Sequence, residues 1–415
     1  MDVLHPRCAG IDISKRDAKV AVRIVRDGQA KAKTEVRTFG SMTPHVLALR
    51  DWLVECRVTC VVMEATGDYW KQFYYLLEDA EFEVLLANPR QVRGMPGRKT
   101  DVSDAAWLAE LAAVGLVQGS FVPSAPIRAL RDLTRMRTHL VRERAREVQR
   151  LEKVLEDTGV KLSSVASDLT GVSSRAMLRA LADGEPVEAI VDLARGALRK
   201  KMPQLADALQ GRYTAHHGRL VSMLLDRIDS TEKDIAGLSA RIAVEMECHR
   251  RARDLLVSIP GWSERVADVF IAETGADMAQ FPTAKHLVSW TGVSPGSNES
   301  AGRVKSTRTR PGDAYLKGAL GVAALAASRS KNTYFAAQYR RIASRRGPMK
   351  ALVAVENSML TAAWHMLTND TGYVDPGADY FANLRPEQTR NRAIHQLENL
   401  GYDVTLTPLP PARVG

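Results

Sequence analysis

Cysteine is scarce in this chain: Cys8, Cys56, Cys60 and Cys248 are the only four among 415 residues. None forms a CxxC pair, which excludes the paired arrangement of zinc ribbons and suits reduced thiols in a cytosolic protein. Long apolar runs are missing too. Nowhere do 18 uninterrupted apolar residues occur, so no membrane span is expected. The opening MDVLHPRCAGIDISKRD lacks the apolar run and small-residue cleavage site of a secretory leader, and a cytoplasmic location is expected. Acids are in deficit, 48 against 58 Lys and Arg, leaving a net charge of +10. That surplus suits a polyanionic partner, although many ordinary soluble proteins carry one.

What is present is enough apolar residue, 45%, for sizeable cores. The length implies two or three domains, because single cores stop growing at roughly 250 to 300 residues. From Arg7 to Phe39 the stretches CAGIDIS, KVAVRIV and TEVRTF alternate and are rich in β-branched residues, which predicts three antiparallel strands. A helix over 44–55, a strand over 59–63, a helix over 68–80 and a strand over 82–86 follow. The order points to an α/β domain with a mixed sheet. After a Pro, Gly and Arg rich loop, a helix over 101–117 closes this domain near residue 120.

The next 130 residues are read as helical. A long helix over 126–157 carries Leu133, Leu140, Val148, Leu151 and Leu155 on its apolar face, and eight arginines against three acids lie between Arg128 and Arg150. A second, over 219–247, repeats Val221, Ile228, Ile235 and Ile242 with Leu224 and Leu238 in a heptad. Its partner is either the first long helix or the same helix of a second subunit. The expected division is 1–120, a helical coiled-coil region over 121–250, a compact, mostly helical domain over 251–370, and a peripheral tail over 371–415.

Four acids stand out. Asp12 sits mid-strand, projecting from the face opposite Ile11 and Ile13. Glu64 follows the apolar strand CVVM at its carboxyl end, where α/β sheets place ligand sites. Asp101 and Asp104 are three apart at a helix start and share a face. Taken singly, Asp101 also suits a helix cap, Glu64 a turn, and Asp12 an ion pair with Lys15 or Lys19. Together they repel strongly unless a cation binds, and oxygen-only ligands select Mg²⁺ or Mn²⁺. Two such ions activate a nucleophile and stabilise the leaving oxygen in phosphoryl transfer.

Two features mark the third region. The run LLVSIPGWSERVADVFIAETG reads as a helix-hairpin-helix whose turn, at Gly261, offers backbone N–H groups to phosphate; a plain helical turn is the alternative. Further on, GVSPGSNESAGRVKSTRTRPGDAYLKGAL combines small residues with Arg303, Lys305, Arg308, Arg310 and Lys317 against the single acid Asp313 between residues 302 and 317. A solvated basic loop and a phosphate cradle both fit. Ser297, Ser300 and Ser306 supply hydroxyls, and a serine among arginines beside a scissile phosphate can act as a nucleophile, although no general base is evident nearby.

GIDISK, VVMEATGDYW, KTDVSDAAWLAEL, SIPGW and SNESAGRVKSTRTRPGDAYL, in that order, resemble the DEDD-type insertion-sequence transposases related to the Piv and MooV DNA invertases. The resemblance covers most of the chain. It implies a RuvC/RNase H-like N-terminal domain whose catalytic acids fall on Asp12, Glu64, Asp101 and Asp104. It also implies a catalytic serine in a Ser-Gly-Gly-like motif, which falls on Ser300 in Ser300-Ala301-Gly302, with alanine as a departure. A covalent DNA–serine intermediate, a Holliday junction, a homo-oligomer (dimer or tetramer) assembled across the coiled coil, and targeting of element ends and target DNA by a noncoding bridge RNA are further implications, as is association with the nucleoid. A RuvC-like junction-resolving endonuclease is the alternative from the same chemistry; it needs neither the serine block nor the long helices. An actin-like ATPase would need Gly-rich phosphate loops and an adenosine motif, which are absent, and a non-catalytic architectural protein leaves the placed acids unexplained.

Overall fold

The computed structural model describes residues 3–25, 32–65, 67–89, 92, 104–296 and 298–407. The chain falls into two compact units, 1–122 and 123–415.

The first unit is built on a five-stranded sheet in the order β3-β2-β1-β4-β5, with β1 (Arg7–Ile13), β2 (Asp17–Ile24), β3 (Lys33–Gly40), β4 (Cys60–Glu64) and β5 (Glu83–Ala87). The first three strands are antiparallel, as their alternating pattern predicts, whereas β4 and β5 run parallel to β1. The parallel pairs need crossovers. Helices α1 (Thr43–Glu55) and α2 (Trp70–Leu77) supply them. One sheet face is apolar: Ile11, Val20, Val61 and Met63 pack with Leu49, Leu53, Phe73 and Leu77. The opposite face is covered by α3 (Asp104–Ala113), whose Leu108, Leu111 and Ala112 meet Cys8, Cys60 and Val62. The helix predicted over 101–117 thus ends earlier, at Ala113.

The second unit is mostly helical. Helix α4 (Ala125–Thr158) runs antiparallel to α5 (Ala215–Glu245), with Arg144 paired to Glu232 and Glu147 to Arg227, while Leu151 and Leu155 join Val221, Leu224, Leu225 and Ile228 in one core. Of the two partners left open for the heptad, the structure supplies the one within the same chain. Shorter helices between residues 162 and 209 complete that core. Beyond it, α6 (Arg250–Val257), α7 (Glu264–Thr274), α8 (Ala284–Thr291), α9 (Ala314–Ser328), α10 (Tyr334–Arg346) and α11 (Pro348–Asn369) form a second cluster. A two-stranded hairpin, β6 (Asn298–Ser300) with β7 (Arg303–Ser306), stands where the sequence suggested only a loop. The tail carries an exposed helix, Pro386–Asn399. Among the described residues no helix is long and apolar enough to cross a membrane.

Candidate active site

Strand pleating decides which way the acids point. On β1 the side chains of Ala9, Ile11 and Ile13 enter the apolar core, so Cys8, Gly10 and Asp12 lie on the face that α3 covers. The register Gly10↔Val62 and Ile11↔Met63 makes Glu64 the residue beside Asp12 on the neighbouring parallel strand, on that same face. Helix α3 crosses β1 at Gly10. A Cβ there would lie 2.1 Å from Ala105 O and 2.5 Å from Ala109 N, so only glycine permits the crossing. Asp104, one residue before Ala105, is thereby carried to Asp12, two residues beyond Gly10.

The electrostatics register this approach. Burial holds the half-buried Asp12 carboxyl above the usual carboxylate range, and the charge of Asp104 pushes in the same direction; Lys19 opposes and Asp17 adds a little. Asp101 lies outside the described residues, as does Ser297. Among the described residues Asp12, Glu64 and Asp104 share a face but do not draw their oxygens within 4.8 Å of one another. The donor set fits a hard divalent cation, which would relieve the cost of ionising Asp12.

Ser300 ends β6. The two-residue turn that follows has Ala301 at φ 51° and Gly302 at φ 74°, the doubly left-handed conformation that joins tight hairpins. Ser300 is exposed on this turn, and Arg303, Lys305, Arg308 and Arg310 are exposed after it. Lys317 is placed differently: its Nζ donates to Gly292 O and Thr309 Oγ1, both at 3.0 Å, and holds the basic segment to α8. Gly261 sits between α6 and α7 at φ 89°, where a Cβ would lie 2.4 Å from Ala323 O of α9. Packing alone therefore requires glycine there.

The arginines of α4, eight against three acids between Arg128 and Arg150, are largely engaged. Arg131 and Arg135 converge on Glu273, an acid with no exposed surface, at 2.9 and 2.8 Å, and Arg135 also reaches Asp313. Arg137 pairs with buried Asp268, which Arg253 also contacts. Such desolvated charges must be paired to be tolerated, so these residues bind the helices together. The sequence reading missed a cleft of about 830 Å³ beside the hairpin, where Ser306 and Arg308 face Arg346 and Lys350 from the α10–α11 junction and Asn357 and Ser358 from α11. Its only sequence signal is RRGPMK, a basic helix end broken by Gly-Pro.

Residues 9–160 match the model for the DEDD transposases of the IS110 type, described as "Transposase", and residues 253–340 match "Transposase IS116/IS110/IS902 family". The two segments together span more than half of the chain. Among curated proteins, "Putative transposase y4pF/y4sB" of Sinorhizobium fredii is 26% identical over 89% of this chain and 91% of its own length. "Insertion element IS900 uncharacterized 42 kDa protein" of Mycobacterium paratuberculosis is 28% identical over 66% and 73%, and "Transposase for insertion sequence element IS1111A" of Coxiella burnetii is 24% identical over 76% and 80%.

Proposed function

Since the chain belongs to the IS110-type DEDD transposases of insertion elements, enzymes that cut and rejoin DNA with a divalent metal, we propose that it does so through two sets of its own residues, the acids of the sheet and the serine of the hairpin. The observation that carries the first set is the Gly10 crossing, which brings Asp104 to Asp12 on the face shared with Glu64. The strand order β3-β2-β1-β4-β5, antiparallel then parallel, supports a RuvC/RNase H-like reading of this unit. Asp12, Glu64, Asp104 and Asp101 would hold Mg²⁺ or Mn²⁺, which supplies charge neutralisation at a phosphate when bound.

Ser300 is the proposed nucleophile. Its Oγ forms a bond to phosphorus while the bond to a deoxyribose oxygen breaks; the hydroxyl proton leaves Ser300 and the departing oxygen takes one up. The reverse transfer to a different deoxyribose oxygen rejoins the strands and frees the serine, so phosphodiester energy is conserved. Exposure of Ser300 beside a tight two-residue turn supports the role. Arg303, Lys305, Arg308 and Arg310 would hold flanking phosphates, and the Arg308–Arg346–Lys350 cleft would extend the track. Lys317 and Gly261 contribute by fixing the segments that bear these groups. Target choice by a bridge RNA and assembly as a dimer or tetramer belong to the same proposal; Arg142, Arg146 and Lys153 are exposed on α4 and would be open to nucleic acid.

A recombination assay in cells tests this, with a donor plasmid carrying the element's ends and flanking noncoding DNA. Asp12→Ala, Glu64→Ala and Ser300→Ala should each abolish junction formation while the proteins stay folded and bound to DNA. Normal recombination by Ser300→Ala beside dead acid variants would remove the serine and leave a metal-only transposase. Cleavage without rejoining by the wild type would favour a junction-resolving endonuclease.

A further inference from the structure

Three residues with no part in the proposed chemistry meet at the other end of the sheet. Cys60 opens β4, and its register partners are Cys8 on β1 and Glu83 on β5. His5 precedes β1, and its backbone N–H donates to Ala113 O at 3.0 Å, which fastens it to the last residue of α3. The ligand atoms of His5, Cys60 and Glu83 all lie within 4.8 Å of one another. Cys60 has no exposed surface, His5 is half-buried and Glu83 is exposed, so the cluster has a closed floor and an open mouth.

We propose that His5, Cys60 and Glu83 form a second metal site, suited to zinc and separate from the carboxylate set. The donors are one imidazole, one sulfur and one carboxylate. That mixture suits a borderline-soft ion with a tetrahedral preference, whereas the oxygen-only acids suit a hard one. The open side leaves a fourth position for water. Cys60 and Glu64 are the two ends of β4, about 13 Å apart at roughly 3.3 Å per residue, so an ion at one end cannot be the ion at the other. Without metal, burial and the neighbours Glu83 and Cys8 push the Cys60 thiol up to about 12. A bound cation takes the place of the thiol proton and turns the opposition between thiolate and Glu83 into shared coordination. The ion would tie the segment before β1, β4 and β5 together where α3 ends. The other end of α3 carries Asp104, so the site clamps the helix that delivers a candidate catalytic acid.

The test uses the full chain, depleted of metal and titrated with Co²⁺. Wild type should bind one equivalent with a thiolate-to-cobalt charge-transfer band that Zn²⁺ displaces, and Cys248→Ser and Asp12→Asn should keep it. Cys60→Ser should lose the band; His5→Ala and Glu83→Gln should weaken affinity about 10-fold or more. Zn²⁺ should raise the melting temperature of wild type by more than that of His5→Ala, and an equal rise in both would count against the site. No band in wild type, or a band that survives Cys60→Ser or vanishes in Cys248→Ser, overturns the site. If Cys60→Ser fails to fold, undiminished affinity in both His5→Ala and Glu83→Gln overturns it as well.

Discussion

Adding one methyl group at Gly10 tests the central geometric argument. The new Cβ would meet Ala105 O at 2.1 Å, Ala109 N at 2.5 Å and Leu108 Cβ at 2.7 Å, against an ordinary contact of 3.4–4 Å. Two of these atoms are helix backbone and cannot turn aside, so α3 as a whole must retreat by on the order of 1 Å. Overpacking of this kind costs about 1 to 3 kcal/mol. With backbone on both sides the upper end applies, which corresponds to a fall of roughly 10 °C in the melting of a unit this size. The retreat also carries Asp104 away from Asp12, and misplacing a catalytic group by about 1 Å costs on the order of 10²-fold in rate. Calorimetry of the full chain and the recombination assay read the two effects separately. Gly237, on the exposed face of α5 with nothing within 4 Å of an added methyl, serves as the control, and Gly237→Ala should stabilise by about 0.5 to 1 kcal/mol. Wild-type melting and recombination by Gly10→Ala would refute the crossing and with it the juxtaposition of the acids.

Burial and Asp104 raise the Asp12 carboxyl above the ordinary value of about 3.9. Below that ordinary value both folded and unfolded states hold the proton and Asp12 contributes nothing; as pH rises through the raised value the folded state bears the full cost of the charge. Metal-free Asp12→Asn should therefore melt higher than wild type at neutral pH while being inactive, and Mn²⁺ affinity of wild type should decline on acidification at a higher pH than an unperturbed carboxylate would give; equal melting and a midpoint near about 4 would contradict this. Glu273→Gln leaves Arg131 and Arg135 without their buried anion, and denaturant unfolding should lose about 3 kcal/mol or more; a change under about 0.5 kcal/mol would mean the pair adds nothing. Ala301 holds a left-handed φ that β-branched residues strongly resist, so Ala301→Val should impair recombination while Ala301→Gly matches wild type; equal activity in both would remove the turn from the mechanism.

Local order is what the sequence by itself determined. Period-two alternation placed β1, β2 and β3 because each needs only its own pleat to separate core from surface, and the position of Asp12 opposite Ile11 and Ile13 follows from that pleat. The apolar periods of α4 and α5 likewise announced two long helices, and the observed ends lie within a few residues of the predicted ones. Tertiary structure alone decided the partners. A heptad specifies an apolar seam but not which seam fills it, and only the folded chain set α5 against α4. Arginine reads the same in sequence whether it meets solvent or a buried acid more than 130 residues away, so the engagement of Arg131, Arg135 and Arg137 was invisible. Gly10 resembled an ordinary strand glycine until α3 was seen to cross it. His5, Cys60 and Glu83 share no spacing motif; they meet because β4, β5 and the segment that leads into β1 lie side by side, and sequence distance holds no record of strand order.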